Sequence, residues 1–431
     1  MPVRDYFIEI HMKKLVPSLL LSVCFFFSSN AQVPLKPRPD AYPSICERYD
    51  GKAIQMASSI DEMAGWDRYP TYDTYLVMMQ RWAETFPELC HIDTIGTSVQ
   101  GRLLLCAVIR GSSAYQNLHP EFFYTSTMHG DEVTGFVMML RLIDTLLNGY
   151  GNNQQYTDLI NQVDVYINPL SNPDGTYRNN NNTIQGCVRY NANWVDLNRN
   201  FPDPFGTDPL NIQQVETTAM IEYATNHSFR LSANLHGGSE VMNYPWDSFT
   251  SYENPHPDRD WWIEVCKRFV DTSRVYSSSH FRDVVNQGYI EGGDWYVIPN
   301  GRQDYMNYYH NCREMTMELS SVKTLSSDQL PEYWRFLQHS LVNYISEIHT
   351  IPMSNSIVDN QLEGKVRVYP NPARDMLFLQ DEVTTGISVF NVQGKEVLHL
   401  PAGSRIVDVS SLPQGVYLLR AGTGNAKFVK R

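Results

Sequence analysis

Short apolar runs that alternate with helical patterns constrain the fold of this chain more than any other feature. Apolar residues recur at helical spacing in Tyr72–Phe86 and in Val133–Leu147, so we predict a helix at each. Strand-like runs lie between and after these helices, at Leu103–Ile109, Phe122–Thr127, Val163–Asn168, Phe229–Leu235 and Met315–Leu319. The alternation predicts an α/β fold, with a largely parallel, mixed sheet and helices on both faces.

The last part of the chain has a different pattern. Short alternating apolar runs, separated by turn signals, follow a polar stretch without clear periodicity. This pattern predicts a linker followed by a small all-β, sandwich-like domain. The predicted segments of the chain are a signal peptide at 1–31, an N-terminal lead-in at 32–65, an α/β domain at 66–350, a linker at 351–364 and a C-terminal β domain at 365–431.

The N-terminus reads as a targeting segment. The basic pair Lys13–Lys14 precedes the apolar run Leu15–Phe27, and small residues follow up to Ala31, where we predict cleavage. Met12 is the predicted true start, because the residues before it add two acids ahead of the basic pair. An uncleaved anchor is the alternative, but the run is shorter than the roughly 20 residues that span a bilayer, so no stable membrane span is predicted.

Charge and cysteine content restrict the partners and the compartment. The formal net charge is −13, whereas a nucleic-acid partner would require a basic face, so no nucleic-acid binding is predicted. Export permits disulfides in the mature chain. The sequence leaves their pairing open among the cysteines that remain after signal removal, namely Cys46, Cys90, Cys106, Cys187, Cys266 and Cys312.

Polar residues that suit a metal follow two of the predicted strands. His129 and Glu132 form an H-x-x-E pair just after one strand, and His236 ends a later strand ahead of two glycines. Catalytic zinc takes three protein ligands from His and carboxylate side chains and keeps a fourth position open. By itself the pair is a weak motif. We interpret three further histidines as ordinary loop or partly buried residues: His256, His280 and His310.

Five motifs around these residues occur in an order typical of one enzyme family. They are Thr127–Gly135 (TMHGDEVTG), Asn172–Gly175 (NPDG), Val195–Asp203 (VDLNRNFPD), Leu231–Gly238 (LSANLHGG) and Thr316–Leu319 (TMEL). From about Tyr69 to Ile348 the chain resembles the zinc metallocarboxypeptidases of the carboxypeptidase A/B clan, in the regulatory branch of carboxypeptidases N, E and D. The resemblance implies a catalytic domain that hydrolyses the last peptide bond of peptides or proteins with a free C-terminus.

The resemblance also implies roles for individual residues. It implies one zinc ion, Zn2+, held by His129, Glu132 and His236, with Glu318 as general base and acid. The remaining implied roles are carbonyl polarisation by Arg189, binding of the terminal carboxylate by Asn198 and Arg199, closure over the substrate by Tyr296 and an auxiliary cleft contact by Arg102. Glu314 lies four residues before Glu318, and we interpret it as the structural partner of a basic group.

Two residues bear on which terminal residue is removed. Asp247 follows His236 by eleven residues, and Gln303 lies in a Gly-x-Gln-Asp segment. In the regulatory branch such a pair contacts basic side chains, so the resemblance implies release of C-terminal Arg or Lys. Two alternatives remain open, which are a cell-wall peptide hydrolase of the same clan and, less favoured, an inactive peptide-binding protein.

The C-terminal domain resembles a different kind of protein. Its segments Tyr369–Pro372 (YPNP), Asn391–Glu396 (NVQGKE) and Leu412–Leu418 (LPQGVYL) are similar to those of type IX secretion sorting domains. The regulatory branch usually carries a transthyretin-like domain at this place, and this chain departs from that pattern. The resemblance implies the outer-membrane secretion machinery as a partner and a location at the cell surface or in the medium. A generic β adhesion module is the alternative.

Overall fold

The computed structural model describes most of the chain after the predicted targeting segment. The described residues are 53–111, 119–204, 212–284, 286–352, 366, 368–379, 385–391, 394–422 and 424–431. The predicted signal peptide, the lead-in up to residue 52 and the predicted linker from residue 353 onward lie outside them. Within the described ranges, no helix combines the length and the apolar character needed to cross a membrane.

An eight-stranded sheet forms the centre of the larger domain. Its strand order is β3-β4-β6-β5-β7-β10-β8-β9, with four parallel and three antiparallel pairings. A separate pair, β1 and β2, runs parallel. The strands are β1 Met56–Ala57, β2 Tyr69–Pro70, β3 Cys90–Thr97, β4 Leu103–Ile109, β5 Glu121–Ser126, β6 Asp164–Asn168, β7 Phe229–His236, β8 Ser239–Tyr244, β9 Tyr289–Glu291 and β10 Arg313–Ser320. The predicted mixed α/β sheet is therefore confirmed.

Helices cover both faces of this sheet. Side chains of a strand point alternately to its two faces, and in β4 the residues Leu105 and Ala107 join one hydrophobic cluster, whereas Cys106 and Val108 join another. The first cluster includes residues of α1, α2, α6 and α9, and the second includes residues of α5 and α8. The helices are α1 Tyr72–Thr85, α2 Thr134–Gly149, α3 Gln154–Ile160, α4 Pro173–Thr176, α5 Val215–Asn226, α6 Arg259–Tyr276, α7 Gly292–Trp295, α8 Arg302–Tyr309 and α9 Leu330–Ser346.

The described part of the lead-in belongs to the same core. Ile54, Ala57 and Met63 are buried in the first cluster. The backbone N–H of Ser327 donates to the carbonyl of Ala53 at 2.7 Å, which ties this segment to the chain just before α9. Residues 53–65 are thus packed as part of the α/β domain.

The cysteines of the described residues are mostly reduced. Cys90, Cys106, Cys266 and Cys312 are free and buried. Cys187 is disulfide-bonded, and its partner lies outside the described residues.

Two small antiparallel sheets form the C-terminal domain. Strands β11, β12 and β15 make one sheet, and β14, β13, β16 and β17 make the other. Alternate residues of both sheets enter one hydrophobic cluster, which agrees with the predicted small all-β domain. The strands are β11 Val368–Tyr369, β12 Met376–Leu379, β13 Ile387–Asn391, β14 Glu396–Leu400, β15 Ile406–Asp408, β16 Gly415–Ala421 and β17 Gly424–Lys430.

Candidate active site

Three neighbouring strands of the sheet bring the predicted metal ligands and the predicted base together. His129 lies in the turn between β5 and α2, and the backbone N–H of Glu132 donates to the His129 carbonyl at 3.0 Å. His236 is the last residue of β7, and in β10 the residue Glu318 is its direct partner in the ladder. Because β5, β7 and β10 are parallel neighbours, their carboxyl ends meet at one edge, where ligands bind in sheets of this kind.

The three ligand side chains converge on one point. Oε2 of Glu132 lies 2.9 Å from Nδ1 of His129 and 2.7 Å from Nδ1 of His236, and the two Nδ1 atoms are 3.0 Å apart. The residues are only 1–3 % exposed. Among the described residues, this is the group of His, Cys, Asp and Glu side chains whose ligand atoms lie close enough together to hold a metal ion.

Each histidine uses its other ring nitrogen for a contact that orients the ring. Nε2 of His129 lies 3.1 Å from Oδ1 of Asp196, and Nε2 of His236 lies 2.8 Å from the side-chain amide of Asn234. The carboxylate of Asp196 can accept the N–H of the outer nitrogen of His129, which leaves the inner nitrogen of that ring for the metal, as is usual in metal sites. Asp196 and Asn234 lie inside the motifs quoted above, but their spacing alone did not single them out.

The electrostatics of the group suit a divalent cation. Burial lowers the pKa of His236 to about 4, with His129 adding to the effect, so the ring is neutral at pH 7 and keeps a lone pair for a metal. Burial alone would raise the pKa of Glu132, but His129 and His236 together hold it well below its usual value. Two imidazole nitrogens and one carboxylate oxygen form the donor set of catalytic zinc.

A buried arginine and a buried carboxylate flank the metal group. Arg189 donates from Nε to Oδ2 of Asp196 at 2.9 Å, and its Nη1 lies 3.5 Å from Oε1 of Glu132. Asp196 therefore contacts both a predicted ligand and the predicted carbonyl-polarising residue. Oε2 of Glu318 is buried and has no hydrogen-bond partner among the described residues. Burial, and then the charge of Glu132, raise the pKa of Glu318 well above its usual value.

The predicted carboxylate-binding residues share a short 3-10 helix, Leu197–Arg199. Asp196 caps it, because its Oδ1 accepts from the backbone N–H of Asn198 at 2.9 Å. Nη1 of Arg199 donates to the carbonyl of Asn198 at 2.8 Å. Tyr296 directly follows α7. Burial, and then the charge of Glu318, raise the pKa of its hydroxyl.

The two predicted specificity residues contact each other in the interior. Nε2 of Gln303 donates to Oδ1 of Asp247 at 2.9 Å. Oδ2 of Asp247 is buried without a hydrogen-bond partner among the described residues, and a Cβ added at Gly301 would lie 3.5 Å from it. Asp304 accepts from the backbone N–H groups of Asp247 and Ser248. Burial, and then Asp304, raise the pKa of Asp247 well above its usual value.

Two further basic side chains are buried or partly buried in the α/β domain, namely Arg102 and Lys323. Arg102 contacts Asp174 from Nη1 at 2.7 Å and the carbonyl of Tyr177 from Nη2 at 3.1 Å, so the structure shows it against α4 and its contact with substrate remains a prediction. Lys323 was not identified from the sequence. Its Nζ is buried 3.2 Å from Asp131 and 3.6 Å from Oε1 of Glu132, and no local pattern distinguishes a lysine that is buried in this way.

A buried His–Glu–His group at the carboxyl edge of a mixed sheet, beside a buried arginine and an unpaired carboxylate, defines the site of a metallohydrolase. Comparison with known proteins narrows this class. Residues 75–339 match the model of the zinc carboxypeptidase family. The chain belongs to the zinc carboxypeptidase family.

Relatives of known name agree with this membership. Carboxypeptidase D of Anas platyrhynchos is 33% identical over 295 residues, which cover 65% of this chain and 21% of the relative. The catalytic chain of carboxypeptidase N of Rattus norvegicus is 31% identical over 317 residues, which cover 65% of this chain and 69% of the relative. The chain thus spans about a fifth of the carboxypeptidase D relatives that it matches.

Solved structures share the fold at low sequence identity. Thrombin activatable fibrinolysis inhibitor superposes with a TM-score of 0.59 at 16% identity, over 67% of this chain and 76% of that one. Carboxypeptidase A from Helicoverpa armigera gives a TM-score of 0.56 at 19% identity, over 66% of this chain and 74% of that one. At this identity the likeness concerns the fold alone.

The C-terminal domain has its own match. Residues 367–431 match the model of the secretion system C-terminal sorting domain. This match confirms the resemblance to type IX sorting domains and indicates export to the cell surface or beyond. The predicted signal peptide lies outside the described residues and stays a prediction.

Proposed function

We propose that this protein is an exported, zinc-dependent exopeptidase that removes the last residue of peptides and proteins, preferably Arg or Lys. The observation that carries the proposal is the His129–Glu132–His236 group, with Arg189 3.5 Å from Glu132 and Glu318 paired with His236 across the β7–β10 ladder. Family membership supports the same reaction.

The proposed reaction assigns one task to each group around the metal. Zinc, when bound, supplies Lewis acidity and lowers the pKa of water to about 7. Oε2 of Glu318 accepts the proton of the attacking water and later delivers it to the nitrogen of the leaving residue. The guanidinium of Arg189, oriented by Asp196, balances the negative charge that develops on the scissile carbonyl oxygen.

The exopeptidase character comes from the carboxylate-binding pair. Asn198 and Arg199 are proposed to hold the free carboxylate of the substrate, because a planar guanidinium matches a carboxylate with two parallel hydrogen bonds. An internal peptide bond offers no such carboxylate. Tyr296 is proposed to close over the bound terminal residue, and Arg102 to contact the substrate further along the cleft.

The preference for basic residues is proposed from the Asp247–Gln303 pair. The unpaired Oδ2 of Asp247 would accept a charge-assisted hydrogen bond from a Lys or Arg side chain. An apolar terminal residue would leave this carboxylate buried and unpaired, at a cost of about 1–3 kcal/mol or more.

We expect Asp247→Asn to lower kcat/KM for peptides ending in Arg by about 100-fold, and for peptides ending in Leu by less than about threefold. The asparagine amide has the shape of the Asp247 carboxylate but carries no negative charge to pair with a Lys or Arg side chain. Peptides that differ only in their last residue, read by mass spectrometry, measure both values. Asp164→Asn is the control. Asp164 lies on β6 and pairs with Arg110, so its substitution should change neither kcat/KM value. A wild-type preference for Phe or Leu, or an unchanged Arg/Leu ratio in Asp247→Asn, would refute the pocket assignment.

The same peptide panel tests the reaction itself. Release of single C-terminal residues from ordinary peptides supports the carboxypeptidase. Cleavage confined to cell-wall peptides would favour the same-clan alternative, and binding without cleavage would favour an inactive protein.

Removal of residues 354–431 is expected to leave the peptidase rate within about twofold of the full chain. The proposed catalytic and pocket residues all precede Ser320, and the C-terminal domain has its own hydrophobic cluster. Its described hydrogen bonds to the α/β domain join the Tyr308 hydroxyl to the backbone of Asn371. Expression in a bacterium with type IX secretion should retain the truncated protein in the periplasm. A folded but inactive truncation, or one that is exported normally, would contradict this division of roles.

A further inference from the structure

A fully buried ion pair adjoins Gln303, one of the two proposed specificity residues. Arg302 is the first residue of α8 and precedes Gln303, and its side chain is 0% exposed. Its Nη2 lies 3.1 Å from Oε2 of Glu314, which is equally buried in β10. The guanidinium also contacts the hydroxyl of Thr125 and lies over the ring of Phe123, both in β5. Glu314 therefore has the basic partner that the sequence predicted for it.

The ion pair between Arg302 and Glu314 leaves some of its buried polar atoms without hydrogen bonds. Nε of Arg302 and Oε1 of Glu314 are buried without a hydrogen-bond partner among the described residues. A buried ion pair with unsatisfied polar atoms is commonly no more stable than apolar side chains of similar volume. The stability of the fold therefore does not by itself account for this pair.

The residues around Arg302 suggest a role for this residue. The backbone N–H of Arg302 donates to Oδ1 of Asn198 at 3.0 Å, which sets the orientation of the proposed carboxylate-binding amide. The neighbouring Gln303 uses both ends of its side chain. Its Oε1 accepts from the backbone N–H of Thr316 at 2.6 Å, and its Nε2 donates to Asp247. The first turn of α8 thus connects both proposed subsites to the central strands.

We propose that Arg302 is a positioning residue, which anchors the first turn of α8 to β5 and β10 and so holds Asn198 and Gln303 in place for the terminal residue of the substrate. Arg302 itself does not reach the substrate, because its side chain is fully buried and faces the strands. This inference rests on the proposed carboxypeptidase function and deepens it.

The test separates positioning from stability with a charge-neutral pair of substitutions. Arg302→Met alone leaves the buried carboxyl of Glu314 without its basic partner, so the melting temperature of this variant should fall. The double variant Arg302→Met/Glu314→Gln removes both charges, keeps similar volumes and retains an acceptor for Ser232, whose hydroxyl donates to Glu314. We expect the double variant to recover most of the melting temperature, while KM for a peptide ending in Arg stays about tenfold above wild type and kcat changes less than twofold.

Two matched variants complete the experiment. Arg302→Lys keeps the charge but cannot contact Thr125, Phe123 and Glu314 together, so it should be stable with an intermediate KM. Arg110→Met breaks the ion pair to Asp164 on the same sheet and should leave KM unchanged. If the double variant does not fold, Arg302→Lys decides the question.

Three outcomes would overturn the inference. They are a wild-type KM in the double variant, a wild-type KM in Arg302→Lys, and a proportional loss in kcat with no change in KM. Hydrogen exchange of the α8 amides provides a second readout that does not depend on activity, and it should be faster in the double variant than in Arg110→Met. If the wild-type protein cleaves no peptide, the proposed function fails, and the exchange measurement still tests the anchor.

Discussion

Glu318→Gln is expected to give a folded, zinc-binding protein whose kcat is about 10⁴-fold lower than that of the wild type. Glutamine has almost the volume of glutamate, so packing around this buried residue should persist. Its amide, however, can neither accept the proton of the attacking water nor return it to the leaving nitrogen. KM should change little, because the proposed carboxylate-binding and specificity residues are separate side chains.

The measurement is a steady-state assay on a peptide ending in Arg, together with zinc content and a thermal unfolding curve. Glu240→Gln is the matched control, since Glu240 lies on the adjacent strand β8 and contacts Tyr333 and the backbone of Phe281. That control should retain most of its kcat. Near-normal turnover of Glu318→Gln would place the base elsewhere in the site.

Removal of zinc is expected to reduce the activity to the background of the assay, and one zinc per chain should restore it. The proposed donor atoms are already gathered within 3.0 Å of one another, so the protein should bind zinc without refolding. Because a ligand that binds only the folded state stabilises it, excess zinc should also raise the melting temperature of the metal-free protein.

Metal analysis after dialysis against a chelator checks this expectation, and two histidine variants sharpen it. His236→Ala removes a proposed ligand and should abolish zinc binding at micromolar metal. His280→Gln alters another buried histidine, whose ring contacts Ser273 and the Leu319 carbonyl, and it should still bind one zinc. Full activity in the metal-free protein would refute the zinc assignment, whatever the state of the variants.

The sequence predicted those elements whose signal is local and apolar. The helix predicted at Tyr72–Phe86 is observed at Tyr72–Thr85, and the strand predicted at Leu103–Ile109 has those bounds in the structure. Strand β3 was missed because it lies at the sheet edge, where most of its residues are partly exposed and carry little apolar periodicity. Strand β9 has only three residues, which is too short for a periodic pattern.

The residues of the candidate site also fall into those that local sequence predicts and those that only the tertiary structure identifies. The sequence by itself determined the residue types and their short spacings, which suffice for the His129–Glu132 pair and for the motifs that carry the family resemblance. Only the tertiary structure decided that Asp196 contacts both His129 and Arg189, that Gln303 meets Asp247, and that Arg302 pairs with Glu314. The physical reason is the separation along the chain of the residues involved. Helical and strand periodicity depends on residues a few positions apart, whereas these contacts follow from strand order and register, which the whole core sets at once.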